Sequence, residues 1–271
     1  MRLLLLGDIV GRAGRTAVVA KLLSLRRELA IDAVIVNAEN AAGGFGLTPP
    51  IADELLAAGA DVLTLGNHSF DQRNIIAYLS QSKRVIRPLN YPLGTAGEGI
   101  TEIETPAGIV VVAQVMGQVF MPNVDHPYNR LMEALARYRL GGNVAAIVID
   151  VHAEAASEKQ AFAHALDGLV SVVVGTHTHV PTSDTRILPG GTALQTDLGM
   201  CGDYQSVIGF MPEAPVHRLK SAMPSPRLAA ASGEATLCGL LLDLDKDSGL
   251  AVNVQPLRVG GALSPAMPRV V

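Results

Sequence analysis

The chain has 271 residues, 21 Lys plus Arg against 25 Asp plus Glu, a formal net charge of −4 and 49% apolar residues. That hydrophobicity excludes a disordered chain, two cysteines exclude a disulfide scaffold, and the lack of a basic excess argues against duplex nucleic acid and long polyanions as partners. What remains is a core-rich globular protein with seven histidines, long enough for one large α/β domain or two small ones.

Leu3 to Leu6 follow Arg2, but Asp8 ends the run before a signal-peptide core can form. No apolar stretch of about 18 residues predicts a membrane span. Cys201 and Cys238 read as small buried apolar residues, so the expected compartment is the cytoplasm.

Arg2 to Gly7 predicts a buried strand, a continuous apolar run closed by glycine. Arg12 to Ala30 predicts a helix, Ala33 to Asn37 a strand, and Thr48 to Ala58 a helix with Thr48 as N-cap and Pro49 at its first position. Asp61 to Leu65 and Asp71 to Ser80 predict a third strand and helix. This order favours a parallel sheet with right-handed crossovers. Ile100 to Glu104 and Ile109 to Val115, joined by Thr105-Pro106-Ala107-Gly108, predict a hairpin.

A Pro127 to Leu140 helix, a Val144 to Val151 strand, a Ser157 to Leu166 helix and a Val170 to Gly175 strand resume the alternation. Two further hairpins are predicted, from Thr185 to Gln195 and from Thr236 to Val254. Met211 to Pro226, with Pro212, Pro215, Pro224 and Pro226, reads as a surface loop. Strands of mixed direction predict an α/β fold of two facing sheets flanked by helices. No linker marks a boundary, so a single domain over residues 1–271 is expected.

Polar residues gather where the apolar strands end: Gly7-Asp8, Asn37-Ala38-Glu39-Asn40, Gly66-Asn67-His68, Asp150-Val151-His152 and Gly175-Thr176-His177-Thr178-His179. Open α/β sheets place ligands at such carboxyl ends. The residue types form the mixed oxygen and nitrogen set that first-row divalent metals accept. Seven ligands, Asp8, Glu39, Asn40, Asn67, His152, His177 and His179, exceed what one ion needs and suit two ions about 3.5–4 Å apart.

Glu39 is the expected bridge. His177 and His179, two apart, would share a face in extended backbone. Taken singly, Asp8 could cap the next helix, Glu39-Asn40 could be a polar loop and Gly66-Asn67-His68 a turn. His126, His164 and His217 lie outside the pattern and read as structural. The first loop, Gly7 to Gly14, fits neither dinucleotide nor P-loop spacing.

At these segments, with Ala42-Gly43-Gly44-Phe45-Gly46, Val151-His152-Ala153-Glu154 and Gln195-Thr196-Asp197-Leu198-Gly199-Met200, the chain resembles the calcineurin-like metallophosphoesterases, and within them the YmdB-like branch. The resemblance implies a four-layer sandwich with a dinuclear centre. It assigns Asp8, Glu39, Asn40 and His179 to a first metal and Glu39, Asn67, His152 and His177 to a second. Two departures stand out: Val10 occupies the position of a usual first-motif histidine, and Glu39-Asn40 replace a usual aspartate. Iron or manganese is the preferred metal, and zinc is chemically suitable.

Two divalent ions would bring the pKa of a bridging water toward neutrality and neutralise charge on the phosphate. His68, next to Asn67, is assigned as general acid. Asp71 is expected either to orient His68 or to cap the third helix.

The resemblance implies a phosphodiesterase acting on small phosphodiesters, with 2′,3′-cyclic AMP the leading candidate. A phosphomonoesterase on the same site and a regulatory metal-binding protein are the alternatives. Family habit leaves a homo-oligomer open.

Overall fold

The computed structural model describes residues 1–269. Its first part alternates strands and helices: β1 (Arg2–Leu6), β2 (Asp8–Ile9), α1 (Gly11–Glu28), β3 (Ala33–Asn37), α2 (Pro49–Ala57), β4 (Val62–Thr64), α3 (Ile75–Leu79) and β5 (Val85–Ile86). The middle holds β6 (Ile100–Thr105), β7 (Gly108–Met116), α4 (Pro127–Leu135), β8 (Ala146–His152), α5 (Ala156–Ala165) and β9 (Val172–Thr176). Then follow β10 (Arg186–Ile187), β11 (Ala193–Gln195), β12 (Met200–Asp203), α6 (Glu213–Lys220), β13 (Ala235–Leu244) and β14 (Ala251–Val259).

Two sheets result. One has the order β2-β12-β13-β1-β3-β4-β5, with β14 paired to β13; the other runs β10-β11-β9-β8-β7-β6. The leucine run of β1 shows how they stack. Leu4 and Leu6 pack with Val18, Leu22 and Leu25 of α1, Leu55 of α2 and Ile75 of α3. Leu3 and Leu5 instead meet Ala33, Ile35 and Val62, together with Val110, Val112, Val148, Val172 and Val174 of the second sheet. The outer face of that sheet, Val111, Ile147, Ile149 and Val173, is covered by Leu131 and Leu135 of α4 and Phe162 of α5. Four layers, helix–sheet–sheet–helix, leave both faces of each central strand buried. That is why these strands read as unbroken apolar runs rather than alternating ones.

The two-sheet expectation therefore holds, as do the three hairpins. Four details differ, the first being that the helix expected over Pro127 to Leu140 ends at Leu135. The segment 211–226 contains a helix, α6, where a loop was expected. Pro212 is its N-cap and Pro215 falls in its first turn, where the missing N–H has no intrahelical partner. His217, Arg218 and Lys220 sit in its last turn, where the helix dipole favours cations. The third helix starts at Ile75 rather than Asp71, with Asn74 as its cap. The short strands β2, β5 and β12 carry too few residues to show a period.

Candidate metal centre

Every one of the five strand ends reaches the same place between the sheets. Asp8 lies on β2, held by its parallel pairing with Met200 of β12, while α1 takes Val10 as its cap. Asp8 is thus not spent on helix capping. Glu39 and Asn40 follow β3, Asn67 follows β4, His152 ends β8, and His177 and His179 follow β9.

The seven candidate ligands converge. Carboxylate and imidazole atoms of Glu39, His152 and His177 lie within 4.8 Å of one another, and so do those of Asp8, Glu39 and His179. Glu39 belongs to both groups. Asn67 Oδ1 is 2.9 Å from His152 Nε2, which is also 3.2 Å from Glu39 Oε1. The Asn40 amide donates to Glu39 Oε1 at 3.1 Å and faces His179 Nε2 at 3.1 Å.

The geometry of the histidine pair differs from the extended-backbone expectation. His177 has φ 98° and His179 φ 66°, both left-handed. The kink sends the two rings apart, one to each group, instead of onto one face.

The residues present fit a pair of cations. Asp8 Oδ1 and Asn40 Oδ1 are buried without a hydrogen-bond partner, which polar atoms in a protein interior seldom are. A Cβ on Gly66 would lie 2.3 Å from both Glu39 Oε2 and His152 Nε2, so only glycine leaves the cluster its room. Burial pushes the Asp8 carboxyl up to about 7, against the pull of His179 and His152. Burial would raise Glu39 as well, but His152 beside it holds that carboxyl down at about 2. Burial works against a charged His152, yet Glu39 outweighs it and draws the imidazole up to about 9. Burial, with His152 adjacent, drives His177 down to about 3. Glu39 is thus held anionic beside a positive His152, while His177 is held neutral with a ring lone pair to offer.

Ring orientation is set from outside the cluster. The Thr176 hydroxyl donates to Asp150 Oδ1 at 2.7 Å, which leaves its lone pair to accept from Nδ1–H of His152 at 2.9 Å. Nε2 of His152 is thereby aimed at Glu39 and Asn67, the arrangement metal-ligating histidines commonly need. The other Asp150 oxygen accepts from Thr64 at 2.7 Å, Gln114 at 2.9 Å and Asn37 at 3.3 Å. His179 Nδ1 donates to the Ile208 carbonyl at 2.8 Å and so turns Nε2 inward.

Asp150, Thr176, Thr64 and Gln114 were not singled out from the sequence. The available signal was clearest at Gln114, a lone polar residue inside the apolar buried strand β7; Thr64 and Thr176 end their strands, and Asp150 shares β8 with His152.

His68 stands at the rim in a turn; Ser69 N donates to Gly66 O at 3.2 Å and Asp71 N to His68 O at 3.3 Å. Its main-chain N–H donates to Glu39 Oε2 at 3.1 Å, and its ring Nδ1 meets Asp71 Oδ2 at 2.7 Å. Phe45 lies edge-on to the His68 ring at 5.1 Å and stacks on Phe210. Among the other histidines, His126 caps α4, its Nδ1 accepting from Asn129 N. Both cysteines are free and buried.

The profile of the YmdB-like protein family matches residues 4–257. The chain is 39% identical over 259 residues to the Bacillus subtilis 2′,3′-cyclic-nucleotide 2′-phosphodiesterase, covering 96% of this chain and 97% of that one. A crystal structure of a hypothetical protein from Thermus thermophilus superposes with a TM-score of 0.89 at 40% identity, over 97% of this chain and 100% of the other. A Mycoplasma pneumoniae protein described as a novel phosphatase superposes at 0.88 with 33% identity, over 96% and 93%. These relatives bear out the expected class of phosphoric ester hydrolase and the sandwich fold. By the extent of the match and the near-complete coverage of its relatives, the chain belongs to the YmdB-like family.

Proposed function

We propose that this protein is a metal-dependent phosphodiesterase of small phosphodiesters, 2′,3′-cyclic nucleotides and 2′,3′-cyclic AMP foremost. The observation that carries it is the sharing of Glu39 between two ligand groups, with buried, unpartnered oxygens on Asp8 and Asn40 beside it. Asp8, Glu39, Asn40 and His179 would hold one ion, and Glu39, Asn67, His152 and His177 the other; iron or manganese is the preferred occupant. When bound, such ions supply an activated water and neutralise phosphate charge.

The chain's own residues do the rest. His68 donates a proton to the leaving oxygen, and Asp71 at its Nδ1 orients the ring. The name of the Bacillus subtilis relative supports cyclic nucleotides as the substrate class. No helix among the described residues is long and apolar enough to cross a membrane. We read residues 1–271 as one domain working in the cytoplasm.

The test is metal analysis of the purified protein with turnover on a panel of cyclic nucleotides, mononucleotides and short RNA. About two ions per chain and a preference for cyclic nucleotides are expected. Less than about one ion per chain with no turnover would overturn the proposal. A strong preference for a mono-aryl over a bis-aryl phosphate would replace it with a phosphomonoesterase.

A further inference from the structure

Behind the two histidines lies an ion pair that the chemistry above does not use. Lys159 Nζ donates to Asp197 Oδ2 at 2.7 Å, and each side chain is 1% exposed. Lys159 comes from α5 on the outer layer; Asp197 follows β11. The lysine reaches inward because Gly175 carries no side chain: a Cβ there would lie 2.4 Å from Lys159 Cδ and 1.8 Å from the Thr196 carbonyl. Asp197 Oδ2 also accepts from the Thr178 main-chain N–H at 3.1 Å and from its hydroxyl at 2.7 Å. The other oxygen accepts from Gly199 N at 2.8 Å.

Thr178 is the residue between the two left-handed histidines. Non-glycine residues hold such conformations only when their surroundings over-determine them, and three donors converging on one carboxylate oxygen do that here. A buried ion pair adds little net stability over an apolar pair of similar volume, so fold stability alone does not account for this one. We propose that Lys159 and Asp197 form a positioning clamp. Through Thr178 it holds His177 toward Glu39 and His152, and His179 toward Asp8. Neither residue touches substrate. This inference rests on the dinuclear reading above.

The test uses the full-length protein stripped of metal, titrated with Mn²⁺ by calorimetry, with the melting temperature of each stripped variant measured in parallel. Thr178→Val removes one contact to Asp197 and leaves the ion pair intact. Asp197→Asn removes the pair. Both are expected to bind Mn²⁺ about 10–100-fold more weakly, whereas Thr178→Ser, which keeps the hydroxyl, binds like wild type. If Asp197→Asn does not fold, Thr178→Val decides.

A Thr178→Val protein that melts lower but binds Mn²⁺ as wild type does would reduce the clamp to a structural pair and overturn the proposal. Wild-type protein that takes up no Mn²⁺ would overturn the dinuclear reading and the clamp together. Wild-type uptake with unaltered Thr178→Val uptake overturns the clamp alone.

Discussion

The imidazole Nδ1 of His68 lies 2.7 Å from Oδ2 of Asp71. The carboxylate is therefore engaged by the histidine, and the third helix begins later, at Ile75. Held in this way, the ring presents Nε2 away from Asp71. His68→Ala is expected to lower kcat by roughly 10²–10⁴-fold, the usual contribution of a general acid. Asp71→Asn should cost about tenfold, as loss of an orienting carboxylate does. Metal content should be unchanged in both. A His68→Ala protein that keeps its metals and full cellular function while losing turnover would favour the regulatory alternative.

Glu39 belongs to both candidate ligand groups, so its loss should act on both proposed ions at once. Glu39→Gln keeps the volume but removes the charge that draws His152 toward it. Metal analysis should show binding at neither position, and kcat should fall by more than the roughly 10²–10⁴-fold expected at His68. Retention of one tightly held ion per chain would show that the two positions are independent and that Glu39 is not shared.

Protons compete with cations here. Burial works against a charged His152, but Glu39 outweighs it and raises the ring to about 9, so below that pH the ring carries a proton that an ion must displace. Burial places the Asp8 carboxyl near about 7 with the same consequence. Mn²⁺ affinity is thus expected to rise with pH between 6 and 9, by about tenfold per unit for each proton displaced. Calorimetry in buffers of different ionisation enthalpy counts those protons. Affinity that is flat over this range would show that neither group is a ligand.

The strand ends were legible because each buried strand is an apolar run that stops abruptly at Asp, Glu, Asn or His. The run Ala33 to Asn37 matches β3 to the residue. The order of the site in space follows from parallel pairing, which aligns those ends. What the sequence concealed depends on contacts between distant segments. Asp150 gathers Thr64, Gln114, Asn37 and Thr176 from four other strands, and no local spacing encodes that. The left-handed backbone at His177 and His179 is imposed by Asp197 and by Asp8, which accepts from His177 N at 3.2 Å. Local reading of a His-x-His triplet could only assume the extended form.

Thr176 gives a separate test of how the second ligand group is oriented. Its hydroxyl is the link between Asp150 and His152. Thr176→Val keeps the shape but removes that link and leaves one oxygen of a fully buried carboxylate short of a donor. Burial raises the Asp150 carboxyl, and its hydrogen bonds from Thr64, Thr176 and Asn37 oppose this, so deleting one should raise it further. An unsatisfied buried group costs about 1–3 kcal/mol, which urea unfolding of the stripped chain would register. The His152 ring would also be free to rotate about its bonds or change tautomer, so Mn²⁺ should bind about tenfold more weakly. Thr176→Ser restores the hydroxyl and is expected to recover both properties. Recovery of stability without recovery of metal affinity would mean that Thr176 supports the sheets but does not orient His152.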